Sequence, residues 1–338
     1  MRFLATADLH IDGVLGVALL ERILDCAKAR GCEAVLIGGD LLESPFPDAA
    51  TEQALLSLLG GAGLPILLVA GNHDPLELTD FYSRLPKGCY CFPEAITAVT
   101  LAEGVRVFGY SAARYLGEDR PLAGWQAPQS GVNVLLAHGH VDGSDFRPIA
   151  SAELAASGLQ LAIVGHIHKG ERRDIGGCRL LVPGIPEGRG WDELGEKYVY
   201  IVDAAPNGAV SFEAVSVAER CYRELSVELG GCTEEGEVLA RLEAVELPAD
   251  TVARLILVGS PACDPVPAAR LYAERHGREV INRTDPSLSV AVLKEQKTLQ
   301  GAFVRRALAE IEAADPAERP ILEEALRLGL EALKEARV

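Results

Sequence analysis

RFLATADLH, residues 2–10, begins a pattern in which a short apolar run ends in polar side chains. EAVLIGGD (33–40) and PILLVAGNHD (65–74) repeat the pattern, and amphipathic helical segments over 14–30 and 48–59 separate the three runs. A β-α-β-α-β order predicts a parallel sheet with crossover helices. The sequence therefore predicts an α/β fold in which the three polar ends meet at one edge of a sheet.

The rest of the chain predicts a second sheet and two smaller segments. From about Ile96, short strands alternate with Gly-rich turns, which indicates a second sheet packed on the first with helices outside. We expect this two-sheet β-sandwich, flanked by helices, to occupy residues 1–217 as the catalytic domain. A small α/β capping domain is expected over 218–285, and C-terminal helices, open to partner binding, over 286–338.

The last predicted helix carries an apolar stripe with two interpretations. Its residues are Leu322, Leu326, Leu330 and Leu333. The stripe could pack on the chain's own capping domain, or it could be an amphipathic helix offered to a partner protein.

Composition excludes several classes of protein. The chain has 338 residues, of which 49% are hydrophobic and 24% charged, as expected for a soluble globular enzyme. The longest apolar runs have the length of strands and fall short of the ~20 residues of a membrane helix, and no secretory signal is recognisable. The eight cysteines lack CxxC or zinc-type spacing, so we expect reduced thiols, a cytoplasmic location and no membrane partner.

The net charge of −17 bears on the substrate. An acidic chain is not expected to bind nucleic acid through a broad basic surface. If the substrate carries phosphates, bound metal dications are the obvious means of attracting them.

Five of the seven histidines fall directly after predicted strands, beside Asp, Asn or a second histidine. Because the carboxyl ends of strands in an open α/β sheet converge on one crevice, these side chains should surround two metal ions. Imidazole nitrogens and carboxylate oxygens suit Mn, Fe or Zn better than Ca. The candidate ligands are Asp8, His10, Asp40, Asn72, His138, His166 and His168.

Some of these residues have more specific expected roles. Asp40 follows a tight Gly-Gly turn and is the best candidate for a carboxylate that bridges both ions. His73 adjoins Asn72 and is placed to protonate a leaving oxygen, with Asp74 able to orient it or tune its charge. Positions away from the metals are expected for His140, His276 and Asp12.

The segments DLH, GD, GNHD, H and GHIH, in this order, resemble the five motifs of the calcineurin-like metallophosphoesterase superfamily over roughly residues 1–215. The resemblance implies the metallophosphoesterase sandwich and a binuclear metal site. One ion would take Asp8, His10, Asp40 and His168. The other would take Asp40, Asn72, His138 and His166. His73 would be the catalytic acid.

A narrower resemblance concerns the substrate. The chain is similar to DNA repair exonucleases of the SbcD type, in particular the YhaO-like branch, in GHIHKGERRD (165–174), VPGIPEGRGWDELGEKYVYIVD (182–203) and EQKTLQGAFVRRAL (295–308). It departs from them at Ala5, where many have histidine, and at Leu42, where an aromatic residue is frequent. The resemblance implies a DNA exonuclease or endonuclease that acts with an SMC-like ATPase. Mn²⁺ is the favoured metal, with Fe, Zn or Mg as alternatives.

Four basic residues follow the last ligands and could contact phosphates beside the scissile one: Lys169, Arg172, Arg173 and Arg189. They could equally be ordinary surface charges. Trp191 could stack on a base or pack inside the chain, and an aromatic content of 5% argues against extensive stacking. Backbone-directed cutting with little sequence preference is therefore expected.

Two other functions stay open from the sequence. A phosphodiesterase acting on a small nucleotide or a lipid-linked diphosphate would use the same metals, and the acidic charge favours it. A non-catalytic scaffold that docks the ATPase is disfavoured by the complete set of ligands. The long segment after Ser216 favours the nuclease, because a small-substrate enzyme has little need for it. Homodimer formation is left open.

Overall fold

The computed structural model describes residues 1–117, 119–128, 130–144, 146–205, 207–284 and 290–335. The chain divides into two units, Met1–Cys221 and Tyr222–Val338. The predicted junction between the capping domain and the C-terminal helices, at residues 285 and 286, lies outside the described residues. In the described ranges, no helix is both long enough and apolar enough to span a bilayer.

Unit 1 alternates strands and helices at first and is rich in strands afterwards. Its elements are, in chain order, β1 (Arg2–Thr6), α1 (Val14–Ala29), β2 (Ala34–Ile37), α2 (Ala49–Gly60), β3 (Ile66–Leu68), a 3₁₀ helix (Phe81–Arg84), β4 (Cys89–Cys91), β5 (Thr97–Ala102), β6 (Val105–Gly109), β7 (Val132–His138), α3 (Ser151–Ala156), β8 (Leu161–Gly165), β9 (Glu171–Ile175), β10 (Cys178–Val182), β11 (Val199–Ala204) and β12 (Val210–Val215). Helix α2 begins after Asp48 because that carboxylate accepts hydrogen bonds from the backbone N–H groups of Ala50 and Thr51.

These strands form two six-stranded sheets. The first has the order β12-β11-β1-β2-β3-β4, in which β1 to β4 are parallel. The second has the order β5-β6-β7-β8-β10-β9, in which β6, β7, β8 and β10 are parallel. The carboxyl ends of the parallel strands in each sheet therefore lie at one edge, where their loops can meet.

Three apolar layers stabilise unit 1. Helices α1 and α2 cover the outer face of the first sheet through residues such as Leu20 and Leu55. The two sheets pack face to face, with Phe3 of the first and Val134 of the second in one core. Helix α3 covers the other face of the second sheet through Leu154. The predicted α/β sandwich of two sheets flanked by helices is confirmed.

Unit 2 begins with a small sheet and ends in three helices. Its elements are β13 (Cys221–Glu228), α4 (Glu235–Glu243), β14 (Thr251–Val258), α5 (Val266–His276), β15 (Glu279–Asn282), α6 (Val290–Glu295), α7 (Leu299–Ala313) and α8 (Arg319–Glu335). The sheet has the order β13-β14-β15, with β14 and β15 parallel. Val238 of α4 and Tyr272 of α5 share a core with Leu255 of β14.

The C-terminal helices have a core of their own. Leu326 and Leu330 of α8 are only 7% and 4% exposed and pack in one cluster with Val304 of α7 and Leu293 of α6. The outer members of the predicted stripe, Leu322 and Leu333, are half-buried. The centre of the stripe is thus covered within this helical segment. Neither interpretation of the stripe, packing on the capping domain or contact with a partner, describes Leu326 and Leu330.

Candidate metal centre

Four of the seven predicted ligands lie in turns after strands, in a backbone conformation that residues with a side chain rarely adopt. The φ angle is 53° at Asp8, 47° at His10, 47° at Asp40 and 100° at His166. Such values at non-glycine residues cost of order 1–3 kcal/mol each and cluster at functional sites. Backbone hydrogen bonds from Asp8 to Gly39 and from His10 to Asp40 hold two of these turns side by side. The sheets therefore impose a strained arrangement that brings the ligands together.

Two glycines make room for this arrangement. A Cβ atom at Gly39 would clash with the imidazole ring of His138, and a Cβ atom at Gly71 would clash with the carboxylate of Asp40. Gly39 also has a φ of 97°, which favours glycine. Any larger residue at these two positions would displace a candidate ligand.

One group of ligands is built from the turns after β1 and β8. The Nε2 atoms of His10 and His168 lie 3.0 Å apart, and Asp8 offers an oxygen within 4.8 Å of a nitrogen on each ring. Asp8 Oδ1 accepts a hydrogen bond of 2.8 Å from the backbone N–H of His166. Its Oδ2 atom is buried and has no hydrogen-bond partner among the described residues. Two ring nitrogens and one carboxylate therefore converge, and one oxygen of that carboxylate has no partner among the described residues.

A second group is built from the turn after β3 and the ends of β7 and β8. Asn72 Oδ1 lies 2.9 Å from Nε2 of His138 and 3.0 Å from Nδ1 of His166. Asp40 lies between the two groups: its Oδ2 atom is 3.3 Å from Nε2 of His138 and 3.8 Å from Nε2 of His10. Asp40 therefore faces both groups.

Burial and charge shift the pKa values of these residues. Burial raises the pKa of Asp8 to about 6. Burial alone would lower the pKa of His138, but the negative charges of Asp40 and Asp8 outweigh it and raise that pKa to about 9. Burial opposes ionisation of Asp40, yet the adjacent His138 and His10 hold the pKa of Asp40 well below its usual range. Buried carboxylates thus hold a proton on a neighbouring imidazole.

This donor set fits divalent metal ions. A cation would satisfy the unpartnered Asp8 oxygen and the two imidazole nitrogens that face each other at 3.0 Å. Mixed imidazole nitrogen and carboxylate or amide oxygen donors suit Mn, Fe and Zn. The seven residues predicted as metal ligands thus share one region of the structure.

His73 lies beside both groups. Its ring packs edge-on against the ring of His10, with centroids 4.6 Å apart, and its Nδ1 atom lies 3.0 Å from the backbone oxygen of Glu43. Its backbone N–H donates to Asp40 Oδ1 at 2.9 Å. One ring nitrogen also lies within 4.8 Å of ligand atoms of His10 and Asp40. His73 is therefore close enough to serve either as a proton donor or as a ligand.

Among the described residues, the Asp74 carboxylate makes no hydrogen bond to the His73 ring, so its expected role of orienting His73 or tuning its charge stays a prediction. Its buried carboxylate instead accepts hydrogen bonds from the backbone N–H groups of Gly71 at 2.8 Å and Leu42 at 2.9 Å. The Tyr82 hydroxyl donates a third, at 2.5 Å. Because Gly71 lies in the turn after β3 and Leu42 in the turn after β2, the Asp74 carboxylate joins these two turns.

Of the four basic residues predicted to contact phosphates, Arg189 alone lines the groove beside His10, a cavity of about 380 Å³. Its Nη1 atom donates to Glu43 Oε2 at 2.5 Å. Arg220 and Glu187 also line this groove.

The other three predicted basic residues lie on or next to β9. Arg173 pairs with Asp142 at 2.8 Å and with a second carboxylate, and the Arg172 guanidinium lies 5.7 Å from the centre of the Tyr200 ring. Lys169 is exposed. Trp191 is half-buried, as is His140, whose ring lies 6.2 Å from that of His166.

The sequence reasoning missed two carboxylates that contact the histidines from outside the centre. Glu193 Oε1 lies 2.6 Å from Nδ1 of His168, and Glu43 Oε2 lies 2.9 Å from Nδ1 of His10. Glu43 follows Asp40 by three residues, which gave a weak signal. Glu193 lies in a Gly-rich loop, and its path could not be inferred from spacing.

The sandwich and its clustered Asp, Asn and His side chains define a metallophosphoesterase, which is a hydrolase. Residues 1–205 match the family described as the calcineurin-like phosphoesterase superfamily domain. The chain belongs to this superfamily, whose members use a binuclear divalent metal centre. The predicted membership is confirmed.

Curated relatives agree with the narrower resemblance to SbcD-type proteins. The chain is 25% identical over 293 residues to the uncharacterized metallophosphoesterase YhaO of Bacillus subtilis, covering 78% of this chain and 70% of YhaO. It is 26% identical over 317 residues to the DNA double-strand break repair protein Mre11 of Aeropyrum pernix, covering 81% and 76%. It is 27% identical over 96 residues to the SbcD subunit of the nuclease SbcCD of Staphylococcus saprophyticus, covering 25% and 26%.

Proposed function

We propose that the chain is a metal-dependent DNA nuclease, the phosphodiester-hydrolysing subunit of a DNA repair complex with an SMC-like ATPase. The position of Asp40 between two groups of ligands carries the proposal, because a site for two ions suits phosphodiester hydrolysis. Relatives named for DNA double-strand break repair and for a nuclease subunit support DNA as the substrate. Eight free thiols support a cytoplasmic location.

The ligands divide between two ions in this proposal. Asp8, His10 and His168 would hold one ion, Asn72, His138 and His166 would hold the other, and Asp40 would contribute to both sites. When bound, divalent ions supply Lewis acidity toward phosphoryl oxygens and lower the pKa of an attacking water. We favour Mn²⁺, with Fe, Zn or Mg as alternatives.

His73 acts as the general acid in this mechanism. The carbonyl oxygen of Glu43 accepts the Nδ1–H proton across 3.0 Å, which leaves Nε2 to carry the proton that the leaving oxygen receives. The edge-on contact with the His10 ring keeps this imidazole beside the metal centre.

DNA contacts outside the metal centre are assigned by position. Arg189 lines the groove beside His10 and can offer its exposed guanidinium edge to a phosphate next to the scissile one. Lys169 and Arg172 extend this basic character away from the centre. Arg173 contributes less, because two carboxylates already pair with it.

A phosphodiesterase for a small nucleotide or a lipid-linked diphosphate is the second candidate. The net charge of −17 favours it, as do the acidic residues Asp12, Glu43 and Glu187 that line the groove beside His10. An extended polyanion would meet repulsion there, whereas a small anion held by metal ions would not.

One assay separates these candidates. Mn²⁺-dependent release of label from linear duplex DNA is measured beside hydrolysis of bis-p-nitrophenyl phosphate and of cyclic nucleotides. The nuclease proposal expects DNA cutting that EDTA abolishes. Hydrolysis of the two small substrates without any DNA cutting, with and without the ATPase, would refute it in favour of the second candidate.

A further inference from the structure

The two histidines that face each other across the metal centre are each contacted from behind by a carboxylate. Glu193 Oε1 lies 2.6 Å from Nδ1 of His168, and Glu43 Oε2 lies 2.9 Å from Nδ1 of His10. The opposite ring nitrogens, the two Nε2 atoms, lie 3.0 Å apart and point into the centre. Both rings therefore have one nitrogen toward a carboxylate and the other toward the metal position.

Arg189 joins the two carboxylates. Its Nη1 atom donates to Glu43 Oε2 at 2.5 Å, and its backbone N–H donates to Glu193 Oε2 at 2.7 Å. Glu193 also folds its own loop, because its backbone N–H donates to the carbonyl oxygen of Gly190. Residues 189–193 thus connect Glu43, in the turn after β2, with His168.

Burial makes the two contacts unequal. The Glu193 side chain is only 7% exposed, so water competes little for its bond to His168, whereas Glu43 is 35% exposed. Hydrogen bonds of a carboxylate are stronger where solvent is excluded. Glu193 should therefore fix its histidine more firmly than Glu43 does.

We propose that Glu193 and Glu43, linked by Arg189, are positioning residues for the ion bound by His10 and His168. Glu193 accepts the Nδ1–H proton of His168, which fixes the tautomer with a lone pair on Nε2, prevents rotation of the ring and raises its basicity as a ligand. Glu43 faces Nδ1 of His10 at 2.9 Å as a charged neighbour, without the geometry of a hydrogen bond. The other ion receives no such support from these two residues. This inference rests on the metal ligands assigned under the proposed function.

The test measures Mn²⁺ binding by the full chain, with calorimetric titration and with electron paramagnetic resonance of the bound ion. E193A removes the acceptor, E193Q keeps a side-chain oxygen in its place, and D192N alters the exposed neighbouring residue as a matched control. We expect E193A to weaken the binding of one of the two Mn²⁺ ions by about tenfold or more and to leave the binding of the other unchanged. D192N should bind both ions close to wild type, and E193Q should bind the affected ion more tightly than E193A, because its single oxygen can accept only one of the two hydrogen bonds that Glu193 accepts.

Far-UV circular dichroism of the metal-free variants shows whether each chain is folded. If E193A does not fold, E43A applies the same test to His10, and it should weaken the same ion by a smaller factor. Two ions bound as tightly by a folded alanine variant as by the wild type would overturn the inference alone, as would an E193Q chain as weak as E193A. A wild-type chain that bound no Mn²⁺ would overturn the proposed function as well.

Discussion

The Tyr82 hydroxyl and the carboxylate of Asp74, the residue after His73, form a buried hydrogen bond of 2.5 Å. Burial, and then the charge of Asp40, raises the pKa of Asp74 to about 6, so this carboxyl depends on its donors to remain ionised near neutral pH. Those donors hold the turn that carries Asn72 and His73. The support of the centre thus reaches to a tyrosine in the 3₁₀ helix Phe81–Arg84.

Tyr82→Phe should therefore lower the free energy of unfolding by about 1–3 kcal/mol, because a buried oxygen of Asp74 loses a donor. Denaturant titration of the metal-free chain measures the change. Tyr90→Phe, at a residue 40% exposed, is the control and should have little effect. Equal stability of the Tyr82 variant and the wild type would show that the Asp74 carboxylate does not need this bond.

Asp40→Asn should reduce phosphodiesterase activity by orders of magnitude and release at least one ion, because one carboxylate faces both groups of ligands. Elemental analysis after Mn²⁺ loading gives the ion count. Asp25→Asn, at an exposed residue of α1, serves as the control. A wild-type chain that never held more than one ion would contradict the binuclear site.

His73→Asn should lower turnover on DNA by about 100-fold, the contribution of a general acid, with metal content near wild type. Bis-p-nitrophenyl phosphate should be affected much less, because p-nitrophenol is already an acidic leaving group. Equal losses on both substrates would argue against proton donation. A loss of bound metal would instead place His73 among the ligands, which its distance from His10 and Asp40 permits.

The metal-free chain should lose stability as the pH rises from 7 to 9. The pKa of His138 is raised from 6.5 to about 9 in the folded chain, because Asp40 and Asp8 outweigh the effect of burial. The folded state therefore holds a proton that the unfolded chain releases, and this stabilisation, complete below pH 6.5, disappears as the pH passes about 9. The pKa of His168 is raised in the same direction, first by its hydrogen bond to Glu193.

Thermal melting in EDTA at several pH values measures this effect. His138→Asn should flatten the profile, and saturating Mn²⁺ should abolish the fall, since metal binding displaces the proton. A fall of the same size in the His138 variant would assign the proton to another group.

Removal of the residues after Thr284 should leave a folded chain that binds both ions and hydrolyses bis-p-nitrophenyl phosphate. The reason is that the described core of α6, α7 and α8 contains residues of these helices alone. The shortened chain should no longer retain the proposed SMC-like ATPase partner in a pull-down. Precipitation, or a melting temperature far below that of the full chain, would show that these helices stabilise the rest of unit 2.

The elements that the sequence predicts are those with a clear apolar period or a long apolar run. Helix α1 is expected over 14–30 and found over Val14–Ala29. The sequence does not predict strand β4, because its three residues are too few to show a period. It does not predict α3 either, because that helix has only six residues. Tertiary contacts decide such short elements.

The same distinction applies to the site. The ligands can be predicted because strand ends converge by topology, whatever the details of the loops. Glu43 and Glu193 cannot, because their contacts depend on how two loops cross. The hydrogen bonds of Asp74 to Gly71, Leu42 and Tyr82 could not be predicted either, because adjacency to His73 in sequence does not set the direction of a side chain. The leucine stripe is real, but its pattern does not say which helix covers it.

The left-handed backbone at Asp8, His10 and Asp40 is unfavourable for residues with a side chain. The metal centre therefore lowers the stability of the fold that contains it. Glycine would relax each of these turns, so a change such as His10→Gly removes strain while destroying the ligand. Selection for thermal robustness alone would therefore erode the metal centre and leave the sandwich intact. In a directed-evolution experiment that selects for stability alone, variants that are more stable but inactive should carry their first substitutions at these turns. Only continued selection for hydrolysis would keep the ligands in place.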